Sequence, residues 1–520
     1  MSETACEQGN GSRSRPRSPR SVNMASLELR KRRIAVAGGT GFVGKALPRV
    51  LGAENHMICL SRTALQPPEG YHELRQTDLF SLQQTQQALE GADVAIYLVH
   101  SMMPAARLVQ GDFQDLDLLC ADNFARAAAE ANVKHIVYVG GLIPSFPQDG
   151  LSEHLASRLE VERVLGSHGV PCTTLRAGMV IGAEGSSYQL MARLIRRLPV
   201  MVCPRWTQSK MQPVGLTDLL EAIGLAVTRS VTASQSYDVS SGEALSYVEL
   251  MGRAARSLGL KRYFLPVPLL SPGLSRLWVS MTTGAPKALV APLIESLREN
   301  MLVRKGAQWR LPGFEPSPVD AHLEEAALLD EGRQPRAFRA AHVGGKPAEA
   351  IVHSVQRFKM PLRRSARWAA RCYTRWLSTS FFGVIRIEHE PSRDRVHFRL
   401  IGMKQPLLTL ETDTEASERD RHLFRIQGGL LAARSGRGYL EFRSTLDNQL
   451  LVAIQDYKPS LPWWVYRITQ AQLHLWVMRA FRRHLDQHGP KLLSEDSGIT
   501  PGLDVTLPEG PFPSSGEQSG

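Results

Sequence analysis

The sequence predicts two domains of different class: an α/β domain with a doubly wound parallel sheet, then an α+β domain with an antiparallel sheet and a long C-terminal helix. The first prediction rests on residues 33–182, where short apolar runs alternate with amphipathic helical segments, the pattern of a parallel sheet covered on both faces. The second rests on residues 380–460, where apolar and polar residues alternate with period two between turn signals. A chain of 520 residues is long enough to give each domain its own core.

These patterns divide the chain into four segments. They are a disordered basic N-terminal segment (1–32), the parallel-sheet domain with a substrate-side subdomain (33–332), the α+β domain (345–488) and a disordered tail (489–520). The first segment lacks the apolar core of a signal peptide, and Met1 and Met24 are both candidate start sites. Since no run approaches 18 apolar residues, we expect no membrane span and a cytoplasmic protein.

The composition restricts the expected partners and metals. The net charge of +12 favours anionic partners, either nucleic acid or anionic lipid. No nucleic-acid-binding motif accompanies the charge, so we expect no nucleic acid partner. The six cysteines are scattered and form no Cys-x-x-Cys motif, which predicts neither a disulfide framework nor a metal site and fits a reducing compartment.

The elements of the first domain follow one another in a regular order. The predicted strands are residues 33–39 and 56–62, a third strand just before "QTDL", and then residues 93–101, 134–141 and 172–182. The predicted helices are residues 42–52, 114–133 and 152–169. Crossovers between parallel strands of this kind are expected to be right-handed.

The turn between the first strand and the first helix, "AGGTGFVG", has glycines three residues apart. Glycine permits a tight turn and a close approach of the backbone to phosphates, and the helix that follows offers free N–H groups and a positive dipole end. In this strand–turn–helix context the pattern predicts a bound dinucleotide, with a tight turn that binds nothing as the alternative. The expected contacts are Gly38, Gly39, Thr40, Gly41, Phe42, Val43 and Gly44.

The end of the second strand predicts which dinucleotide binds. A site for NAD usually places an acidic residue there, but this chain has Ser61 and Arg62. A guanidinium can pair with the 2′-phosphate of NADP, so we expect NADP in preference to NAD, unless Arg62 is simply a surface residue. After the third strand, Asp78 and Leu79 in "QTDL" are expected beside the adenine, with Asp78 accepting a hydrogen bond from its amino group.

Several motifs together resemble one family. They are the Gly-x-x-Gly-x-x-Gly turn, "QTDL", "YLVHSM", "GGLIP", "HLASRLEVE", "LRAGMVIG" and "QPVGLTDL", which fall in the order typical of the extended short-chain dehydrogenase/reductase superfamily. The resemblance is greater to its atypical branch, the NmrA-like and complex-I 39-kDa-subunit-like proteins with a Rossmann fold. It covers roughly residues 33–330 and implies an NAD(P)-binding protein.

The resemblance also implies where catalytic residues should lie. Active members carry a Ser at the end of the fifth strand, then a Tyr on the next helix and a Lys four residues later. This chain has Gly140 and Gly141 at the Ser place, and His154 and Arg158 at the Tyr and Lys places. A neutral imidazole can exchange protons near neutral pH, and a guanidinium can hold ribose hydroxyls or a phosphate. The alternative is that His154 is a helix-surface residue and Arg158 a structural or cofactor-binding cation.

Further residues of the nicotinamide end follow from the same resemblance. Val99, His100 and Ser101 lie at the end of the fourth predicted strand, and His100 is a second candidate for proton transfer, or packs against the cofactor. Ala177, Met179 and Val180 lie toward the end of the sixth predicted strand and are expected to line the nicotinamide pocket. Arg176 is expected to contact a substrate oxygen or a phosphate.

The second domain is expected to contain about six antiparallel strands and one helix over residues 462–488. This arrangement resembles the helix-grip fold of the START and Bet v 1 type, whose members often enclose apolar ligands. Between the domains, Arg363, Arg367, Arg371 and Arg375 are four residues apart and predict one basic helical stripe. It is either a peripheral contact with an anionic membrane or a solvated face over core aromatics.

Three functional hypotheses remain open at this stage. The first is an oxidoreductase that transfers a hydride between NADP and an apolar carbonyl or enone. The second is a non-catalytic NADP-dependent sensor or assembly factor, favoured by the missing Ser, Tyr and Lys. The third is a lipid-binding membrane-surface protein in which the nucleotide is structural.

Overall fold

The computed structural model describes residues 31–100, 108–144, 151–267, 280, 299–304, 315–330, 352–361, 364–380, 384–433, 438–461 and 463–488. The strands of the first domain are β1 Arg33–Ala37, β2 His56–Ser61, β3 Glu73–Gln76, β4 Val94–Tyr97, β5 Leu108–Gln110, β6 His135–Gly141, β7 Cys172–Ala177, β8 Val180–Ile181, β9 Val200–Pro204, β10 Lys210–Met211, β11 Val214–Gly215, β12 Gln235–Val239, β13 Leu245–Ser246 and β14 Tyr263–Val267. Its α-helices are α1 Pro48–Leu51, α2 Leu82–Leu89, α3 Phe113–Glu130, α4 Glu153–Leu165, α5 Ser186–Arg197, α6 Leu216–Thr228, α7 Tyr247–Ser257 and α8 Val319–Asp330.

The main sheet of the first domain has seven strands in the order β12-β7-β6-β4-β1-β2-β3, and all neighbouring pairs are parallel. This confirms the predicted parallel sheet. Helices α2, α3 and α4 contribute to the core on one face, and α1 and α6 to the core on the other. The strand order reverses at β1, which has β4 on one side and β2 on the other, and ligands of open α/β sheets bind at such a switch point.

Two predicted elements of this domain were wrong in extent. Instead of one helix over residues 42–52, a 3-10 turn at Gly44–Ala46 precedes the four-residue helix α1. Pro48 has no N–H to donate, so the α-helical hydrogen-bond pattern cannot run through it. The strand predicted over residues 172–182 ends at Ala177, and the short strand β8 that follows pairs with β11 outside the main sheet.

The strands of the second domain are β15 Val352–Lys359, β16 Ile385–Glu390, β17 Arg395–Leu400, β18 Leu408–Thr412, β19 Arg421–Gly428, β20 Tyr439–Thr445 and β21 Gln449–Tyr457. The last six form the predicted antiparallel meander. Strand β15 was not predicted. Its register on β21 shifts between Val352 and Ser354, and this irregularity breaks the alternation that marks a strand in the sequence.

The helices of the second domain are α9 Ala366–Ser380, α10 Trp463–Ile468 and α11 Gln470–His488. The single helix predicted over residues 462–488 is therefore two helices that meet at Thr469. Residues of α9 and α11 pack against one face of the sheet in a common core, in which Trp376 of α9 contacts Phe481 of α11 at 5.2 Å between ring centroids. In the described part of the chain, no helix is long and apolar enough to cross a bilayer.

The two domains share a sheet and a core. Strand β5, from the first domain, pairs in parallel with β15 and so forms the edge of the second domain's sheet. Val355, Leu451 and Ala453 of that sheet belong to the same buried cluster as α2, α3 and α4. The second domain therefore packs directly on the helices that cover one face of the parallel sheet.

Candidate functional site

The glycine turn after β1 has a backbone that only glycine adopts without strain. Gly38 has φ +88°, in the left-handed region, and its carbonyl oxygen accepts a hydrogen bond from the N–H of Gly41 at 2.9 Å. A Cβ on Gly44 would lie 2.7 Å from the Cα of Gly39, closer than packing allows. Among the described residues, the N–H groups of Thr40, Phe42 and Val43 donate to no backbone carbonyl. The turn therefore offers a compact cradle of free donors, which fits a dinucleotide phosphate.

Two side chains that the sequence analysis missed support this turn from below. The hydroxyl of Tyr71 donates to the carbonyl oxygen of Gly44 at 2.7 Å. The Sγ of Cys59, on β2, lies 2.8 Å from the position of a Cβ on Gly39, and burial raises the pKa of its thiol to about 11. The buried Cys59 thus remains a thiol and serves as packing. No local motif marks either residue, because the register of β2 beside β1 brings Cys59 under the turn.

Phe42 joins the glycine turn to the substrate-side subdomain. Its ring lies against Gly182 and Gly185, where an added Cβ would come within 2.7 Å and 3.0 Å of it. Phe42 is half-buried, and Thr40 and Gly41 beside it are exposed. The small residues Gly182 and Gly185 leave room for the ring, and a contact of Phe42 with the cofactor stays a prediction.

The residues predicted beside the adenosine end occupy different environments. The buried Ser61 hydroxyl accepts the N–H groups of Thr63 and Ala64, at 3.4 and 3.2 Å, so it shapes the loop. Arg62 is exposed at the carboxyl end of β2. Asp78 accepts the N–H of Phe80 at 3.2 Å. The side chain of Leu79 is buried in the core.

The ends of β1, β4 and β6 come together on the nicotinamide side. A Cβ on Gly38 would lie 3.2 Å from Leu98, so the chain of Val99 and His100 leaves β4 directly beside the glycine turn. Gly141, at the end of β6, lies close to Arg158 of α4, whose Cγ is 4.0 Å from the position of an added Cβ. Ser101 lies outside the described residues.

His100, His154 and Arg158 are brought together at this edge of the sheet. Burial and then the charge of Arg158 lower the pKa of His154 to about 4. Burial also lowers the pKa of His100 well below its ordinary value, with smaller contributions from Arg158 and His154. The His100 side chain nevertheless retains solvent-exposed surface. Both imidazoles are therefore neutral near pH 7.

The local sequence explains how α4 presents His154 and Arg158. Ser152 begins the helix by accepting the N–H of Leu155 at 3.4 Å with its side chain, and Leu155 is buried in the adjoining core. His154 and Arg158 are four residues apart and lie on one face. Beneath them, the buried Tyr138 donates its hydroxyl to the carbonyl oxygen of Arg158 at 3.4 Å, and burial raises its pKa. Tyr138 is therefore a supporting residue and does not replace the missing tyrosine.

On the other side of the site, the expectation for Arg176 was wrong. This buried side chain donates two hydrogen bonds to Glu162, at 2.8 and 2.6 Å, and so joins β7 to α4. Ala177 ends β7 and is buried. Met179 and Val180 follow at the strand end and are half-buried. They remain available to line a pocket, whereas the Nε and Nη2 groups of the buried Arg176 are held by Glu162.

Comparisons with known proteins agree with this geometry. Residues 38–197 match a protein family described as NAD(P)H-binding. The chain is 30% identical over 148 residues to the auxiliary protein GraX of Staphylococcus aureus (strain NCTC 8325 / PS 47). The aligned segment covers 28% of this chain and 43% of GraX. The chain thus spans less than half the length of the curated relative it matches.

The solved structures that resemble the first domain include a reductase and an epimerase. One is Citrobacter sp. triphenylmethane reductase complexed with NADP(H), with 19% identity, a TM-score of 0.44, and coverage of 56% of this chain and 99% of that chain. Another is a nucleoside-diphosphate-sugar epimerase of Staphylococcus aureus, with 16% identity, a TM-score of 0.44, and coverage of 56% and 100%.

The glycine cradle, the switch point at β1 and the family match define the first domain as an NAD(P)-binding domain of Rossmann type. Within the described part of the chain, no cluster of three or more His, Cys, Asp or Glu residues is arranged to hold a metal ion.

Proposed function

We propose that the protein is an atypical short-chain dehydrogenase-like oxidoreductase that binds NADP and acts on an apolar carbonyl or enone, or on the corresponding alcohol. The observation that carries the proposal is the grouping of His100, His154 and Arg158 beside the glycine cradle. The nucleotide, when bound, supplies or accepts a hydride. The protein's own groups then position the substrate oxygen and manage its proton.

Arg158 and the two imidazoles have different tasks in this proposal. The Arg158 guanidinium stays charged and is suited to hold ribose hydroxyls or phosphate. The same charge disfavours a second positive charge on His154, which therefore accepts a proton or a hydrogen bond in the resting protein. His100 follows the end of β4 at the same edge of the sheet, and burial and then the charge of Arg158 lower its pKa as well.

The pKa of His154 predicts the pH dependence of carbonyl reduction. If the His154 imidazolium donates the proton, about one molecule in a thousand is competent at pH 7, because the folded pKa is about 4. The competent fraction rises about tenfold for each pH unit below 7 and levels off near pH 4. We therefore expect the kcat/KM for NADPH oxidation with an apolar enone to rise as the pH falls, measured by absorbance at a series of pH values.

The control is the His154→Gln variant, which keeps a hydrogen-bonding side chain that cannot titrate. It is expected to bind NADPH normally and to lose about 100-fold or more of the rate, with a flat residual pH profile. A wild-type profile that does not change below pH 7, or a variant with unchanged rate, would remove His154 from the proton-transfer role. The same pair of measurements on His100→Gln tests the second imidazole.

The preference for NADP over NAD is a separate proposal that rests on Arg62. Arg62 is exposed after β2, where a 2′-phosphate is expected, and no acidic residue follows that strand to hold ribose hydroxyls. Arg62→Ala is expected to weaken NADPH binding about tenfold, or roughly 1.4 kcal/mol, and to leave NADH binding unchanged. Titration of intrinsic fluorescence measures both, and Arg49→Ala, another exposed arginine, is the matched control. Equal losses for the two nucleotides would contradict the assignment.

The second candidate is a non-catalytic NADP-dependent sensor or assembly factor. It is favoured by Gly141 at the position expected for the catalytic Ser and by two imidazoles that are not in the acidic imidazolium form near neutral pH. GraX, the partial relative in Staphylococcus aureus, is named an auxiliary protein, and such a role supports this candidate. The distinguishing result is tight NADPH binding without oxidation of NADPH across a panel of apolar carbonyls and enones at any pH.

For the second domain we propose the helix-grip type with an apolar ligand. The support is the core that α9 and α11 share with one face of the antiparallel sheet. We also propose that the protein is cytoplasmic, that it contacts an anionic membrane peripherally, and that it does not bind nucleic acid. The surface of this domain also carries a more specific feature, which does not depend on the nucleotide.

A further inference from the structure

A cavity lies on the second domain between α9 and β16, which is the edge strand of the sheet farthest from the first domain. Its volume is about 490 Å³, within the range typical of small-molecule sites. This volume corresponds to roughly sixteen water molecules, which is far more than a single small oxyanion fills. The cavity is lined by Arg371, Thr374, Arg375, Ser378, Ile387 and His389.

Among the described residues, no carboxylate forms an ion pair with the two arginines that line the cavity. Arg371 and Arg375 are one helical turn apart on α9, and both are exposed. Burial is the main cause that lowers the pKa of the nearby His422 to about 4. The charges of Arg367 and Arg371 contribute to this lowering, and the charge of Asp394 opposes it.

The acidic residues of the edge strand point away from the cavity. Ile387 and His389 are two residues apart on β16 and so lie on the face that meets α9. Glu388 and Glu390 alternate with them and are paired elsewhere, Glu388 with Arg399 at 2.9 Å and Glu390 with His397 at 3.4 Å. The strand therefore presents an imidazole and an apolar side chain to the cavity and keeps its carboxylates on the other face.

The hydroxyl groups of the cavity are already used as donors. Thr374 donates to the carbonyl oxygen of Arg371 at 2.9 Å, and Ser378 donates to that of Arg375 at 2.6 Å. The donors that remain for a ligand are the two guanidinium groups and the His389 imidazole. Guanidinium forks match the oxygens of a phosphate by paired hydrogen bonds, which a point charge does not.

We propose that this cavity binds a phosphate group carried on an organic molecule. The two arginines and His389 hold the phosphate oxygens, and Ile387 and the remaining volume accommodate the group to which the phosphate is attached. Such a phosphate can belong to a soluble phosphomonoester or to a phospholipid headgroup. The chemistry at the cavity is the same in both cases.

The test compares two double variants of equal charge in the full-length chain. Arg371→Gln with Arg375→Gln removes the cations of the cavity. Arg479→Gln with Arg482→Gln removes two exposed arginines of α11 that do not line it. Binding of radiolabelled inorganic phosphate is measured by equilibrium dialysis, and circular dichroism confirms that the variants are folded. We expect the cavity variant to bind phosphate at least about tenfold more weakly than the α11 variant. The phosphate affinity of the α11 variant should equal that of the wild type.

Two results would overturn the proposal. Equal loss in the two double variants would show that net charge alone attracts phosphate. Unchanged binding in the cavity variant would place the phosphate elsewhere, for example at the glycine turn. In a second arm, vesicles of phosphatidylcholine with phosphatidic acid are sedimented with each protein. Capture of the wild type but not of the cavity variant supports a lipid headgroup, and tight phosphate binding without capture supports a soluble phosphomonoester.

Discussion

Replacing Arg443 by methionine is expected to lower the free energy of unfolding by about 3–5 kcal/mol, the usual cost of removing one member of a buried ion pair. The Arg443 side chain has no exposed surface. From β20 of the second domain it donates to Asp122 and Asn123 of α3, both at 2.7 Å, and to Glu441 on its own strand. The variant leaves two buried carboxylates with fewer positive partners in the contact between the domains.

The pH dependence of this loss has a definite sign. Burial raises the pKa of Asp122, but the charges of Arg443 and Arg126 and the hydrogen bond from His168 outweigh it and hold the folded pKa below its ordinary value. In the wild type this contribution is fully present above the unfolded pKa, near 3.9, and is lost only as the pH falls from there through the folded pKa. Without Arg443 the folded pKa is higher, so the difference between variant and wild type should shrink as the pH is lowered.

Urea unfolding at several pH values measures the effect. The matched control is Arg163→Met, which breaks another bridge between the domains, from Arg163 to Asp447 at 2.8 Å, where both side chains are about half exposed. An exposed pair of this kind contributes less than about 1 kcal/mol. If the two variants lost equal stability, the buried cluster would not be what holds the domains together.

The sequence could not indicate this contact between the domains, because its partners are 320 or more residues apart. Asp122 and Asn123 stand in an otherwise alanine-rich helix and resemble an ordinary polar face. Arg443 alternates with apolar neighbours along β20, as an outward-facing strand residue does. Each pattern correctly indicates a face turned away from its own domain's core. In the folded chain, however, these faces of α3 and β20 cover each other.

Features that depend on local backbone geometry were predictable. The spacing of Gly38, Gly41 and Gly44 indicated the turn, and the alternation of strands and helices indicated the parallel sheet that carries it. The sequence could not show which polar side chains are already hydrogen-bonded to other parts of the protein. Ser61 shapes its own loop, and Arg176 is engaged by Glu162, because the fold already places partners within reach of these side chains.

Gly44→Ala is expected to weaken NADPH binding by about 100-fold, or roughly 2.7 kcal/mol. The added methyl group would lie 2.9 Å from the carbonyl carbon of Gly38 and 2.7 Å from the Cα of Gly39. Because the obstacle is backbone, no side-chain rotation relieves it, and the turn itself must open. Opening the turn also displaces the carbonyl oxygen that accepts the hydroxyl of Tyr71, so we expect a loss of about 1–3 kcal/mol in stability as well.

The control for this variant is Gly224→Ala in the interior of α6. The Cβ of an alanine there would meet only Val50, at an ordinary 3.8 Å, so the change should stabilise the protein by about 0.5–1 kcal/mol through helix propensity. Thermal unfolding with and without NADPH separates the two effects. The wild type and Gly224→Ala should gain stability from the nucleotide, whereas Gly44→Ala should gain almost none. If Gly44→Ala were stabilised by NADPH as strongly as the wild type, the phosphates would not lie against this turn.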